Sequence, residues 1–277
     1  MGAEKTFHIG CQSWGYDDWI TPVAGETVFY PSGTKREEML GLYSRVFDTI
    51  EVDSTLYGIP AASTLENWYD ETPPGFIFSL KFPREITHDL ELKGPSLSLT
   101  REFVERAELL QEKLGVFLIQ FPARFEATKD NACRVRDFLG QLPSDFRFTM
   151  EFRNEGWFTE STMDALAGAG VPLGLVEGKW VDRDLMFQYA PSILTQFTYI
   201  RIMGERDLRM FNRIQRHRDD VLERWVAEIK NLKATEMFIY VDNYFEGFAP
   251  GTVNKLKQLL QLPPSDPAEL ETQLSLF

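Results

Sequence analysis

The sequence predicts an α/β chain folded as a (β/α)8 TIM barrel with a short flexible C-terminal tail. Three observations carry this expectation. Eight short apolar runs alternate with amphipathic stretches along the 277 residues, the pattern of a parallel sheet wrapped by helices. About 260 residues hold these units, close to the roughly 250 typical of such a barrel. Finally, the first apolar run is followed by Gly10, Cys11, Gln12, Ser13, Trp14 and Gly15, which lack the G-x-G-x-x-G spacing of a doubly wound nucleotide-binding sheet.

The predicted strands are residues 7–12, 48–53, 75–81, 115–121, 146–152, 171–177, 197–203 and 236–242. Helical periodicity marks residues 35–46, 62–70, 99–113, 129–141, 159–168, 217–232 and 250–261. Thr34 with Glu37 reads as a capping box for the first helix, and Gly115 as the end of the third. Residues 178–196 contain Pro191 and little helical period, so no helix is expected there. Beyond Leu262, Pro263, Pro264 and Pro267 stop the last helix, and Asp266, Glu269 and Glu271 make the segment acidic. The expected division is a barrel over residues 1–262 and a flexible acidic tail over 263–277.

A 43% hydrophobic, 26% charged composition suits a globular chain with a sizeable core. The longest apolar runs, such as Gly115 to Phe121, are far short of the roughly 20 residues of a membrane helix. With no signal-peptide pattern and only Cys11 and Cys133, a cytoplasmic protein is expected, with neither a disulfide framework nor a zinc spacing. His8, His88 and His217 are too few for a histidine-rich metal cluster. A net charge of −13 argues against indiscriminate coating of nucleic acid.

Strand parity places an unusual number of charges inside the barrel mouth. Residues two apart share a face, so if Ile50 and Val52 face the helices, Glu51 and Asp53 face the axis. The same reasoning adds Lys81, Gln120, Glu151, Glu177, Arg201 and Asp242, with Arg153 just beyond Glu151. Charges withdrawn from water cost several kcal/mol each, roughly, and barrel active sites lie at the C-terminal strand ends. Acids beside bases suit proton transfer next to an anion anchor. The alternative is structural ion pairing of Glu151 with Arg153 and of Asp242 with Arg201. Trp14, Trp19, Tyr57, Trp157 and Tyr244 follow strand ends and could stack on a sugar or base, or simply pack loops. His88 is a further acid, base or ligand candidate, whereas Cys11 reads as a buried small hydrophobe. Between Arg201 and Arg218, six arginines face two acids, a local charge of 6 − 2 = +4 that suits phosphate.

These residues, read in order, resemble the YecE-like family, domain of unknown function 72. The resemblance runs through Gly10 to Trp19, Phe29-Tyr30-Pro31, Phe47, Glu51 to Tyr57, and Trp68 with Thr72-Pro73. It continues in Lys81-Phe82-Pro83 with Thr87-His88, Gln120-Phe121-Pro122, Glu151-Phe152-Arg153 with Trp157, and Arg201 with Gly204. It closes on Asp242-Asn243 and Gly247-Phe248-Ala249. The resemblance implies a TIM barrel and no established reaction. The family pattern has an aspartate where Glu177 stands and a histidine where Met203 precedes Gly204.

Gln273-Leu274-Ser275-Leu276-Phe277 resembles the pentapeptide with which bacterial DNA polymerases and repair proteins bind the sliding clamp. Leu276 and Phe277 would be its apolar anchors, with Gln273 the hydrogen-bonding end and Leu274 between them. The alternative is a segment that docks on its own barrel.

The expected function is a bacterial hydrolase of phosphodiester or glycosidic bonds in a nucleic-acid-related substrate, recruited to DNA through the clamp. Its catalytic set is Glu51, Asp53, Lys81, Glu151 and Asp242, with magnesium or manganese on the carboxylates or no metal. Trp14, Tyr57, His88, Gln120, Arg153, Trp157, Arg201, Asn243 and Tyr244 would bind substrate, and Lys81, Arg153 and Arg201 would hold phosphate. The alternatives are an enzyme on a small phosphorylated or sugar-like metabolite, and a non-catalytic adaptor.

Overall fold

The computed structural model describes residues 5–20, 28–190, 196–265 and 267. Eight strands among them form one parallel sheet: β1 Thr6–Gln12, β2 Thr49–Val52, β3 Ile77–Lys81, β4 Leu114–Gln120, β5 Arg147–Glu151, β6 Gly174–Glu177, β7 Phe197–Ile202 and β8 Glu236–Val241. The order β5-β4-β3-β2-β1-β8-β7-β6 curls until β5 meets β6. There the seam is a single parallel bridge, Met150 to Leu173, with the Met150 N–H donating to Pro172 O at 3.1 Å. Pro172 has no N–H to extend that ladder, so β6 starts only at Gly174, later than its apolar run suggests. The barrel is nearly closed.

The helices are α1 Met39–Val46, α2 Ala62–Glu71, α3 Ser96–Ala107, α4 Lys129–Leu139, α5 Glu160–Gly168, α6 Arg183–Tyr189, α7 Asp219–Asn231, α8 Asn243–Glu246 and α9 Ala249–Leu259. In α7, Leu222, Trp225, Val226 and Ile229 recur at helical spacing and are buried, while Asp219 and Asp220 suit the N-terminal dipole. Helix α6 lies in the stretch expected to be irregular. It is only 7 residues long, too short for a clear period, and the Asp182 side chain starts it by accepting the N–H groups of Asp184 and Leu185.

Two local expectations are corrected. The Glu38 carboxylate, not Glu37, reaches back to accept the Lys35 N–H at 2.8 Å, while Thr34 donates to Pro31 O. Gly115 lies inside β4, where a Cβ would stand 2.5 Å from Ile77 Cγ2; the third helix ends at Ala107 and continues as a 3-10 segment in which Gln111 has φ 50°.

The core has two parts. Outward strand residues such as Ile50, Val52 and Ile239 pack against the helices. Inside the barrel, Val116, Leu118, Phe197, Tyr199, Phe238 and Tyr240 form a second cluster. Above it the Tyr240 hydroxyl meets Thr49 Oγ1 at 2.7 Å and Ser79 Oγ at 2.8 Å. These bonds satisfy buried hydroxyls and leave the charged layer to the mouth.

Shortly after α9, Ser265 is tied back to that helix. Asn254 Nδ2 donates to Ser265 O, Asn254 Oδ1 accepts the Ser265 N–H, both at 2.8 Å, and Lys257 Nζ donates to Ser265 Oγ. Among the described residues, no helix is long and apolar enough to cross a membrane. The pentapeptide at residues 273–277 lies outside the described residues.

Candidate active site at the barrel mouth

Arg201 occupies the axis at the C-terminal ends of the strands. Register pairs Gln12 with Glu51, Gln120 with Glu151 and Val176 with Arg201, so Gln12, Glu51, Gln120, Glu151, Val176 and Arg201 share the inner face. Arg201 Nε lies 2.9 Å from Glu51 Oε2, Nη2 lies 2.8 Å from Glu51 Oε1, and Nη1 lies 2.7 Å from Glu151 Oε2. Tyr199 donates to Glu51 Oε2 at 2.7 Å, and Arg153 Nε reaches Glu151 Oε1 at 2.7 Å. Burial opposes these charges. The two carboxylates nonetheless hold the Arg201 guanidinium well above its usual pKa, and Arg201 with Arg153 holds Glu151 down at about 2. Glu51 and Glu151 are therefore fully engaged carboxylates, fixed by bidentate and charge-assisted bonds.

Two aspartates stand apart from this knot. Lys81 Nζ donates to Asp53 Oδ1 at 3.0 Å, and Gln12 Nε2 approaches the same oxygen at 3.5 Å. Burial disfavours the Asp53 anion, but Lys81 and Arg201, aided by Arg206, outweigh it and leave the carboxyl below the ordinary value. Asp242 is displaced the other way. Its side chain caps α8 by accepting the Tyr244 N–H at 3.3 Å, while Arg201 turns to Glu51 and Glu151 instead of forming the Asp242 ion pair. Burial, with the Asp53 charge adding to it, raises Asp242 to about 6. One carboxyl is thus held ionised and its neighbour is poised to carry a proton.

His88 is half-buried, and its Nδ1 lies 2.8 Å from Thr87 Oγ1. Burial, followed by Lys81, Arg124, Arg153 and Arg84, lowers it to about 4, so the imidazole is neutral near pH 7. Arg153 lies over the Trp180 ring, its guanidinium carbon 3.6 Å from the centroid. Tyr57 is 76% exposed at the rim, and Trp14 packs edge-on against Trp68.

Other expected residues turn elsewhere. Trp157 is buried, stacked on Phe125 and Phe152, with its indole N–H on Phe125 O; it packs the loop. Asn243 is buried and its Oδ1 accepts from Trp19 Nε1 and the Ala249 N–H. Tyr244 packs against Phe211, and Gln120 donates to Phe121 O. Glu177 departs from the parity expectation: because Val176 pairs with Arg201, Glu177 faces outward, where Arg183, Arg218 and Trp225 Nε1 all donate to it. The β6 strand is one residue out of step with the reading from its end.

The four mouth carboxylates do not gather around one point. Among the described residues, the group of His, Cys, Asp and Glu with ligand atoms within 4.8 Å of one another is His217, Asp219 and Glu246. Lys255 already sits there, 2.8 Å from Asp219 Oδ1 and 2.9 Å from Glu246 Oε1. A magnesium or manganese ion on Glu51 and Glu151 would have to displace Arg201, so the donor set does not fit a metal.

Sequence reasoning passed over Gln12 and Trp180 and placed Arg206 only in the arginine-rich stretch after β7. Gln12 was discoverable, being the inner-face end of β1 in register with Glu51. Trp180 sits in a loop, where period carries no information.

Fold and mouth together define a TIM-barrel protein with a layer of charged side chains at the C-terminal ends of its strands. Residues 8–274 match the family described as "Protein of unknown function DUF72", and the chain belongs to that family. It is 25% identical over 292 residues to the UPF0759 protein YunF of Bacillus subtilis, covering 98% of this chain and 99% of that protein. The UPF0759 protein YecE of Escherichia coli is 27% identical over 164 residues, 59% of this chain and 54% of that protein. A DUF72 family crystal structure from Thermotoga maritima superposes with a TM-score of 0.74 at 23% identity, covering 92% of this chain and 99% of the other. One from Enterococcus faecalis gives 0.72 at 18% identity, over 93% and 96%. Both likenesses are of fold.

Proposed function

We propose that the chain is a hydrolase that opens a glycosidic bond in a nucleic-acid-related substrate, and that its terminal pentapeptide recruits it to DNA through the sliding clamp. The observation that supports the reaction is the opposite displacement of Asp53 and Asp242 at one mouth. Paired carboxyls whose surroundings drive their acidities apart divide into base and acid. Asp242 gives its proton to the leaving group as the glycosidic bond breaks and the electron pair departs with that group. Water forms the new bond to the anomeric carbon, and its proton passes to Asp53. Lys81 keeps Asp53 ionised until then, and Arg153 faces an anionic part of the substrate. Glycosidic cleavage is favoured over metal-dependent phosphodiester cleavage because Glu51 and Glu151 are held by Arg201.

The recruitment half rests on Gln273, Leu274, Leu276 and Phe277 alone. Two measurements test the reading. The full chain is incubated with single-stranded DNA and with ribonucleosides, and the released base is quantified; Asp242→Asn is expected to lower release at least about a hundredfold. Unchanged release would exclude the acid role. A purified clamp should bind the full chain and not a chain shortened before Gln273; equal binding would exclude recruitment.

A further inference from the structure

The charges held in the mouth layer do not cancel. Glu51, Asp53, Glu151 and Asp242 face Lys81, Arg153 and Arg201, which leaves one negative charge when all are ionised. Arg201 bonds Glu51 and Glu151, Arg153 bonds Glu151, and Lys81 bonds Asp53, so Asp242 is the carboxyl left over. Among the described residues, no Lys or Arg nitrogen lies within ion-pair distance of it. Asp242 is only 5% exposed, yet its Oδ1 accepts the Tyr244 N–H at the long distance of 3.3 Å and no hydrogen bond ends on Oδ2. The Gly204 backbone and Arg201 favour its ionised form from farther off, and Asp53 opposes it. A carboxylate this deep, with one oxygen unpartnered, lacks a positive group.

The place for that group lies between Asp242 and Asp53. Only β1 separates β2 from β8, so two strand spacings, about 10 Å, lie between the backbones that carry the two carboxyls. The Asp53 side chain is 27% exposed, which opens this place to solvent. Its Oδ1 takes Lys81 and Gln12, and no hydrogen bond ends on its Oδ2. Both carboxylates act on the Tyr16 hydroxyl, which donates to Gln12 O at 3.3 Å; together with burial they keep it protonated and neutral. Arg206 also faces Asp53, from an exposed loop position where water and salt screen it. Two unpartnered carboxylate oxygens suit one ring ammonium, which has two N–H donors and makes charge-assisted bonds to both.

We infer that the gap between Asp53 and Asp242 binds a small protonated ring amine of sugar shape, one N–H directed to each carboxylate. In the proposed reaction the same gap holds the sugar as it gains positive charge in the transition state, and a ring ammonium copies that charge. The sugar shape of the ligand rests on that reading; its positive charge rests on the unpaired Asp242.

The test is calorimetric titration of the full chain with a dihydroxypyrrolidine, protonated at its ring nitrogen, and with the dihydroxytetrahydrofuran of the same shape, which is neutral. At pH 7 the amine is expected to bind at least about tenfold more tightly than the ether. Its affinity should fall about tenfold from pH 7 to pH 5, because Asp242 takes up its proton near 6 and the site loses its charge. Asp242→Asn should abolish both the preference and its pH dependence, and Asp53→Asn should weaken the amine about tenfold. No binding of the amine, equal affinity for amine and ether, or a preference that survives Asp242→Asn overturns the inference. Base release by the unsubstituted chain is scored separately. Release without amine preference rejects the inference and keeps the reaction; amine preference without release keeps the cation site and excludes the reaction.

Discussion

Arg201 and Glu51 form a bidentate pair on the barrel axis, with Nη2–Oε1 at 2.8 Å and Nε–Oε2 at 2.9 Å, and neither side chain is more than 1% exposed. Such a pair is costly to desolvate and more costly to break, because the surviving charge stays buried. Glu51→Ala is expected to lower stability by about 3 to 5 kcal/mol, read from the urea midpoint. Tyr199→Phe, which removes one donor to the same carboxylate, should cost about 1.5 to 3 kcal/mol with an unchanged urea slope. A loss below half of either figure would mean the pair is solvated.

Asp242 makes stability depend on pH. Its carboxyl titrates at about 6 in the fold against 3.8 for an ordinary aspartate. The unfolded chain therefore loses this proton first, so the contribution of the protonated group is complete below 3.8 and is lost as pH rises to about 6. Asn stands in for the protonated form. Relative to wild type, Asp242→Asn should gain about 3 kcal/mol across that window, measured by urea unfolding at each pH. A difference that does not vary with pH would contradict the raised pKa.

Gly204 has no room for a side chain, since a Cβ would stand 1.9 Å from Tyr244 O. The clash is with backbone and cannot be relieved by a rotamer change. Gly204→Ala should destabilise by about 3 kcal/mol and displace the α8 cap at Asp242, so both Tm and hydrolysis fall. A variant as stable as wild type would show that the two loops are not packed this closely.

Hydrolysis itself should follow a bell-shaped pH profile. The upper limb reflects Asp242 and falls above about 6, while the lower limb reflects Asp53 and lies below 3.8. Asp53→Asn should remove the lower limb along with most of the rate. A single upper limb well above neutrality would point to a different acid.

The barrel is legible because eight apolar runs repeat one physical demand, and strand parity alone places Glu51, Glu151 and Arg201 on the inner face. Parity failed at Glu177, where the strand is shortened by Pro172 and the register is set by β7. Helix α6 was missed because its signal is an Asp182 cap and a single buried turn. The sequence placed Asp53 and Asp242 among the mouth carboxylates but not their opposite displacement in acidity, which depends on which carboxylates Arg201 bonds. It also could not tell Trp157, consumed by packing, from Tyr57, left in solvent.

The most direct test of the central claim is carbon NMR titration of the full chain labelled at the aspartate carboxyls, with Asp53→Asn and Asp242→Asn spectra for assignment. The account predicts an Asp242 resonance that titrates at about 6 and an Asp53 resonance that titrates below 3.8. Asp242 titrating near 3.8 alongside Asp53 would contradict it.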